Sequence, residues 1–170
     1  MKILVTNDDG IHAPGILALA RAASRHGDVA VVAPDRERSA CGHAMTMRDP
    51  LRVGPVAGFP VGRAWEVSGF PVDCVNVGRA IVWPDGPDLV LSGINNGPNL
   101  GFDVTYSGTV GGAIEGTMAG IRSLAFSVAE LNYPATLRYD GAEAWIAEHL
   151  PALVQIPLPD LTLLNVNVPN

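Results

Sequence analysis

Asp8 and Asp9 stand side by side after the apolar run Ile3-Leu4-Val5 and two intervening residues, and Gly10 follows at once. Two adjacent carboxylates at the end of a strand concentrate negative charge that folding does not require, and such charge is costly if left unpaired at a partly buried site. A hard divalent cation neutralises it and can then hold a phosphate or an activated water. The competing reading is an Asn7-Asp8-Asp9-Gly10 turn in which Asn and Asp serve only the backbone. Three further segments carry matching chemistry. Asp35 to His43 includes Ser39, Ser92 to Asn99 includes Asn95 and Asn96, and Tyr106 to Gly112 includes Ser107, Gly108 and Thr109. Ser39 and Asn95 offer neutral oxygens that suit Mg²⁺ or Mn²⁺. Ser107-Gly108-Thr109 would present hydroxyls and backbone N–H groups at a helix N-terminus, a ready anion site.

Each piece has a structural alternative. Ser39 taken alone is an ordinary loop hydroxyl, Asn95 and Asn96 are turn residues, and Ser107 and Thr109 are helix caps. The glycines at 108, 111 and 112 fit tight helix–strand packing. His43 would bond a loop backbone, His26 and His149 would face solvent from helices, His12 would be a loop residue, and Arg36 and Arg38 would be surface charges. Four such loops arriving on one rim are harder to explain by structure alone.

The elements that must position these loops alternate between strand-like and helix-like. Residues 2–6 read as a buried strand. Pro14 opens a helix whose stripe includes Ile16, Leu17, Leu19, Ala20 and Ala23, and Gly27 stops it. Residues 29–33 form a second strand, closed by Pro34, and a long polar connection runs from Pro34 to Pro50. Residues 51–53 and 64–67 suggest a small β excursion. Pro71 opens a second helix that runs through Ile81, and residues 88–92 form the third core strand. A Gly- and Asn-rich loop, Gly93 to Gly108, precedes a helix from about Val110 to Gly120. A strand at 123–128, a helix at 140–153 and a last strand at 161–166 complete the chain. The pattern predicts a single three-layer α/β domain over residues 1–170, Rossmann-like, with a mostly parallel sheet. Right-handed crossovers would bring the strand ends to one rim.

Composition narrows the partners. The 170 residues are 48% hydrophobic and 16% charged, with a net charge of −6. That balance disfavours long nucleic acid, which needs a basic face, and leaves room for a small anionic substrate beside a metal. No apolar run approaches the ~20 residues of a membrane span. Cys41 and Cys74 lie far apart and read as free thiols of a cytoplasmic protein, and no Cys/His cluster suggests zinc. Asn-Asp-Asp-Gly occupies the first βα turn where a dinucleotide fingerprint would lie, and neither a Walker-type loop nor a Gly-x-Ser-x-Gly elbow is present.

The stretches ILVTNDDG, VVAPDRERSACGHAMT, LVLSGINNGPNLG, YSGTVGGAIEG and NVNVP, in that order, resemble the SurE family, the survival protein E type of metal-dependent 5′/3′-nucleotidase. The resemblance runs along essentially the whole chain. It implies a phosphomonoesterase that converts nucleoside 5′- or 3′-monophosphates to nucleoside and phosphate, with short polyphosphate as a further substrate. Carried over position by position, it makes Asp8, Asp9, Ser39 and Asn95 the ligands of a divalent cation, Mg²⁺ or Mn²⁺. Ser107, Gly108 and Thr109 resemble its phosphate loop, which Asn96 would join, and Asp8 or Asp9 would orient the attacking water. Family members generally continue past Asn-Val-Asn-Val-Pro into an extended arm used in subunit exchange. The chain stops at Asn170, so the expected assembly is a homodimer through the α/β surface rather than an arm-dependent higher oligomer. Two other readings stand beside this one: a nucleotide- or phosphate-binding module without turnover, and an aspartyl-phosphate type phosphatase. The adjacent acids disfavour the latter, whose nucleophile and acid are usually one residue apart.

Overall fold

A computed structural model describes residues 1–130 and 138–169. Seven strands, β1 (Lys2–Thr6), β2 (Asp28–Pro34), β3 (Val53–Pro55), β4 (Arg63–Val67), β5 (Leu89–Asn95), β6 (Arg122–Ala129) and β7 (Leu164–Pro169), form one sheet. Their order is β3-β4-β2-β1-β5-β6-β7. Every neighbouring pair is parallel except β3 with β4.

Four helices cover both faces: α1 (Pro14–Ser24), α2 (Pro71–Val77), α3 (Gly108–Met118) and α4 (Asp140–Gln155). A sheet covered on both sides needs apolar residues at successive positions, and β1 shows why. Ile3 and Val5 enter the core shared with α1 and α4, while Leu4 enters the opposite core with Cys74 and Val75 of α2. Phe126 of β6, fully buried, joins the first core, and Ala125 beside it meets Val110 and Ala113 of α3. Burying side chains of this size contributes about 1.5–3 kcal/mol each. Among the described residues no helix is long and apolar enough to cross a membrane.

The three-layer α/β architecture matches the sequence expectation, and several boundaries differ. The expected β excursion at 51–53 and 64–67 is part of the main sheet. β4 pairs in parallel with β2 from Ala30↔Arg63 to Pro34↔Val67, and β3 closes its far side antiparallel. The open backbone edge of β2 accounts for this, since its N–H and C=O groups need partners. The helix expected to run through Ile81 is α-helical only to Val77, and Gly78–Val82 continues as a wider π-helical turn. A Cβ on Gly78 would stand 2.6 Å from a Leu4 methyl, so the missing side chain lets this segment lie against β1. The last strand starts at Leu164 rather than Leu161, because Leu161 sits in an exposed turn at φ 56°. It lies at the sheet edge, paired on one side with β6.

The strand order places a topological switch between β1 and β5. The chain leaves β1 through α1 toward β2 and leaves β5 through α3 toward β6, on opposite faces of the sheet. In open α/β sheets the crevice beyond the carboxyl ends of two such strands is where ligands bind. Asp8 and Asp9 follow β1 there, and Asn95 ends β5.

Candidate active site

Asn7 closes the first loop on itself. Its side-chain Oδ1 accepts from the Gly10 N–H at 3.2 Å, and its Nδ2 donates to the Gly10 carbonyl at 3.0 Å. Gly10 has φ 98°, and a Cβ there would press on the Arg36 backbone at 3.1 Å. The turn alternative therefore describes Asn7 and Gly10, and it leaves both Asp side chains free for other partners. The Arg38 N–H donates to the Asp8 carbonyl at 2.7 Å, lacing the second loop to the first.

These loops enclose a cleft of about 310 Å³. Asp8, Asp9, Ser39, Asn95, Asn96 and Ser107 all line it. Gly108 and Thr109 lie beneath it, buried, at the start of α3. The Thr109 hydroxyl donates to Asp8 Oδ1 and lies 3.3 Å from Asn95 Oδ1, so one buried Thr links two of the predicted cation ligands. Ser107 is the N-cap of α3, its Oγ accepting from the Val110 N–H at 3.1 Å. Its O–H is still free to donate toward the cleft. Ser39 Oγ donates to Glu37 Oε1 at 2.6 Å, a bond that uses its hydrogen and leaves its lone pairs unspent.

Sequence reading did not single out Glu37, Asn99 and Asp103, which also line the cleft. In the sequence Asn99 was legible only as the end of the Ser92–Asn99 loop. Its N–H donates to Asn167 Oδ1 at 2.8 Å, and its carbonyl accepts from Asn165 Nδ2 at 2.8 Å. Alternate asparagines of β7 thus tether the Asn95–Asn99 loop. Asn167→Ala is expected to cost about 1–2 kcal/mol and to speed amide exchange at Asn99 while the rest of the sheet stays protected. Hydrogen exchange resolved by residue checks this.

The electrostatics call for a cation. Among the described residues Asp8, Asp9, Glu37 and Asp103 line the cleft, and no Lys, Arg or His does. Asp9 Oδ2 is buried without a hydrogen-bond partner. Burial raises the Asp8 carboxyl above its usual range, against the Thr109 hydroxyl and the backbone N–H groups of Thr109 and Gly108. Burial, then the charge of Asp8, pushes Asp9 up to about 7, with the Asn96 N–H opposing. Among the described residues no group of three or more His, Cys, Asp and Glu could hold a metal ion. The candidate set is instead two carboxylates joined by the neutral oxygens of Ser39 and Asn95. An oxygen-only set of this kind fits Mg²⁺ or Mn²⁺, and the orphaned Asp9 oxygen gives such an ion an anchor.

A stability signature follows from Asp9. In metal-free protein the folded chain keeps this carboxyl protonated up to about 7, while the unfolded chain releases it near 3.8. Stability from this group therefore falls as the pH rises from about 4 to about 7 and is level above. Asp9→Asn is expected to flatten that slope and to raise the metal-free Tm at pH 8 by roughly 2–8 °C. Thermal melts in chelator at pH 5 and pH 8 measure it.

Other histidine and arginine expectations need correction. His43 donates not to a loop backbone but to Glu115 Oε2 at 3.0 Å, and Glu115 also accepts from Asn76 Nδ2 at 2.9 Å. His26 follows α1 and donates to the Ala147 carbonyl at 2.7 Å, and His149 donates to the Trp145 carbonyl while stacking on its ring. Arg38 is half-buried, donating to the Ser68 carbonyl at 2.7 Å.

A family model described as Survival protein SurE matches residues 3–170. The chain is 49% identical over its whole length to a protein named 5′-nucleotidase SurE from Geobacter sulfurreducens, covering 63% of that protein. It is 48% identical to one of the same name from Thermosipho melanesiensis, covering 66% of it. The SurE protein of Aquifex aeolicus, known from its crystal structure, superposes with a TM-score of 0.88 at 41% identity, over 100% of this chain and 66% of that one. The chain thus spans a little under two thirds of the length of these relatives. The motif order, the switch-point cleft and matches along essentially its whole length place the chain in the SurE family.

Proposed function

We propose that this protein is a metal-dependent phosphomonoesterase that hydrolyses nucleoside 5′- or 3′-monophosphates to nucleoside and phosphate, and short polyphosphate as well. The observation that carries this reading is the cleft itself: four carboxylates, no cationic side chain, and one Asp9 oxygen buried and unpartnered. The name 5′-nucleotidase SurE borne by relatives at 48–49% identity supports it.

Asp8, Asp9, Ser39 and Asn95 would hold Mg²⁺ or Mn²⁺, which supplies Lewis-acid charge to the phosphate oxygens. The chain's own residues do the positioning. Thr109 fixes the Asp8 carboxylate, and the N-terminal end of α3 stabilises its negative charge. Ser107, with its acceptor side used in the cap, would donate its O–H to a phosphate oxygen, and Asn96, which lines the same cleft, would donate as well. Gly108 and Thr109 carry this phosphate loop into α3, with their backbone N–H groups held on the Asp8 carboxylate. Asp9 orients the attacking water and accepts its proton, while the P–O ester bond breaks and the leaving oxygen takes a proton from solvent to depart as the nucleoside alcohol. Tyr106, 65% exposed on the cleft rim, offers an aromatic face to the nucleobase. The free thiols Cys41 and Cys74 fit a reducing cytoplasm, where we place the protein as a homodimer.

The test is product analysis with Mn²⁺ present. Nucleoside 5′- and 3′-monophosphates should each be offered, with nucleoside and phosphate expected in equal amounts. Binding of nucleotide without product would favour a module without turnover, and trapping of a phosphorylated Asp8 or Asp9 would favour the aspartyl-phosphate route.

A further inference from the structure

On the other side of the Asp35–Ser39 segment lies a second cleft of about 630 Å³, roughly twice the volume of the first. The segment alternates between them: Glu37 and Ser39 face the acidic cleft, Arg36 and Arg38 the second one. Arg48 and Arg52 line the second cleft as well, with Asp49 as its one acid. A chain of net charge −6 with eleven cationic side chains in all thus gathers four arginines around one hollow.

Among the described residues three of those four have no side-chain partner: Arg36, Arg48 and Arg52 form no ion pair and no side-chain hydrogen bond. Arg38 is the floor: it donates to the Ser68 carbonyl, lies 3.6 Å from Asp35, and stacks over Phe70 with its Nε buried and unsatisfied. The wall is held in place. Asp73, 3% exposed, accepts from the Thr46 N–H at 3.1 Å and the Thr46 hydroxyl at 2.7 Å, pinning the loop that carries Arg48 to α2. Clustered guanidinium groups repel one another, and nothing in the fold uses the three exposed ones. Their planar forks match phosphoryl oxygens two at a time.

We propose that this arginine cleft is a second anion-binding site, taking a ligand that carries two or more linked phosphoryl groups. With Asp49 counted, the lining of the cleft is still net cationic, and its volume exceeds what one phosphate fills. It does not depend on the acidic cleft or on turnover, so the phosphatase reading and this one fail separately. Both inorganic condensed phosphate and the tail of a nucleoside triphosphate have the required chemistry.

The probes are inorganic tripolyphosphate and ATP, titrated by calorimetry into the whole chain in excess chelator. Binding of tripolyphosphate is expected, weakening with added salt. Arg48→Gln combined with Arg52→Gln, both exposed and therefore tolerated by the fold, should weaken it by about ten-fold or more. Arg48→Lys with Arg52→Lys should restore part of the affinity, and Asp9→Asn should leave it in place. Equal affinity for the two probes assigns recognition to the phosphates alone, and tighter ATP assigns a share to the nucleoside against Met45 and Phe70. No binding by wild-type protein, or binding that the double Gln variant leaves within two-fold, overturns the proposal.

Discussion

Asp8→Asn is expected to reduce phosphate release by ~10³-fold or more, and to do so without unfolding the protein. The exchange keeps the side-chain volume and the acceptor for the Thr109 hydroxyl, so the buried link between α3 and the first loop survives. What it removes is one of two charges that would hold the cation, and electrostatic stabilisation of a transferring phosphoryl group is worth several kcal/mol. Burial already opposes the charged form of Asp8. The variant should therefore melt no lower than wild type in chelator and should gain less from added Mn²⁺. Calorimetric Mn²⁺ titration with a parallel rate assay separates the two effects. A variant that binds Mn²⁺ as wild type does would remove Asp8 from the ligand set.

Gly108→Ala is the second large effect. A Cβ at this position would stand 2.5 Å from Cys41 Sγ, 2.8 Å from Asp8 Cβ and 2.9 Å from Asp8 Oδ2. The methyl has no space, and overpacking of this kind typically costs about 1–3 kcal/mol. The activity loss should be larger than the stability loss. The atoms that must move include those of Asp8 as well as the Cys41 thiol, and displacement of a reacting constellation by about 1 Å can cost ~10²-fold in rate. Gly111→Ala is the control in the same helix. It also lacks room, with the Gly42 carbonyl 2.3 Å away, yet the clash lies against loop backbone rather than a carboxylate. The expected outcome is comparable destabilisation of both variants, with the sharper fall in kcat at Gly108.

Much of this arrangement was legible from local pattern. Pro14, Pro71 and the apolar runs marked the parallel core because helix starts and doubly covered strands carry strong local signals. Asp8, Asp9, Ser39, Asn95, Asn96 and Ser107 could be gathered onto one rim because strand ends in such a sheet share a side. Pairing between distant segments was not legible. Nothing local in 51–67 says that β4 joins β2, since that choice is made by the open edge of β2. The His43–Glu115 and Asn99–Asn167 bonds join residues 72 and 68 positions apart, and no periodicity reports them. Thr109 illustrates the same limit within the site. Its type and position suggest a cap or a phosphate ligand, and only the fold shows its hydroxyl turned inward to Asp8.

The most direct test is phosphate release from a nucleoside 5′-monophosphate by chelator-treated protein, measured before and after Mn²⁺ is returned in excess of chelator. Four carboxylates around a cleft without a cationic side chain predict no turnover in chelator and full recovery with Mn²⁺ in wild type, but not in Asp9→Asn. Undiminished hydrolysis in excess chelator would contradict the account at its centre.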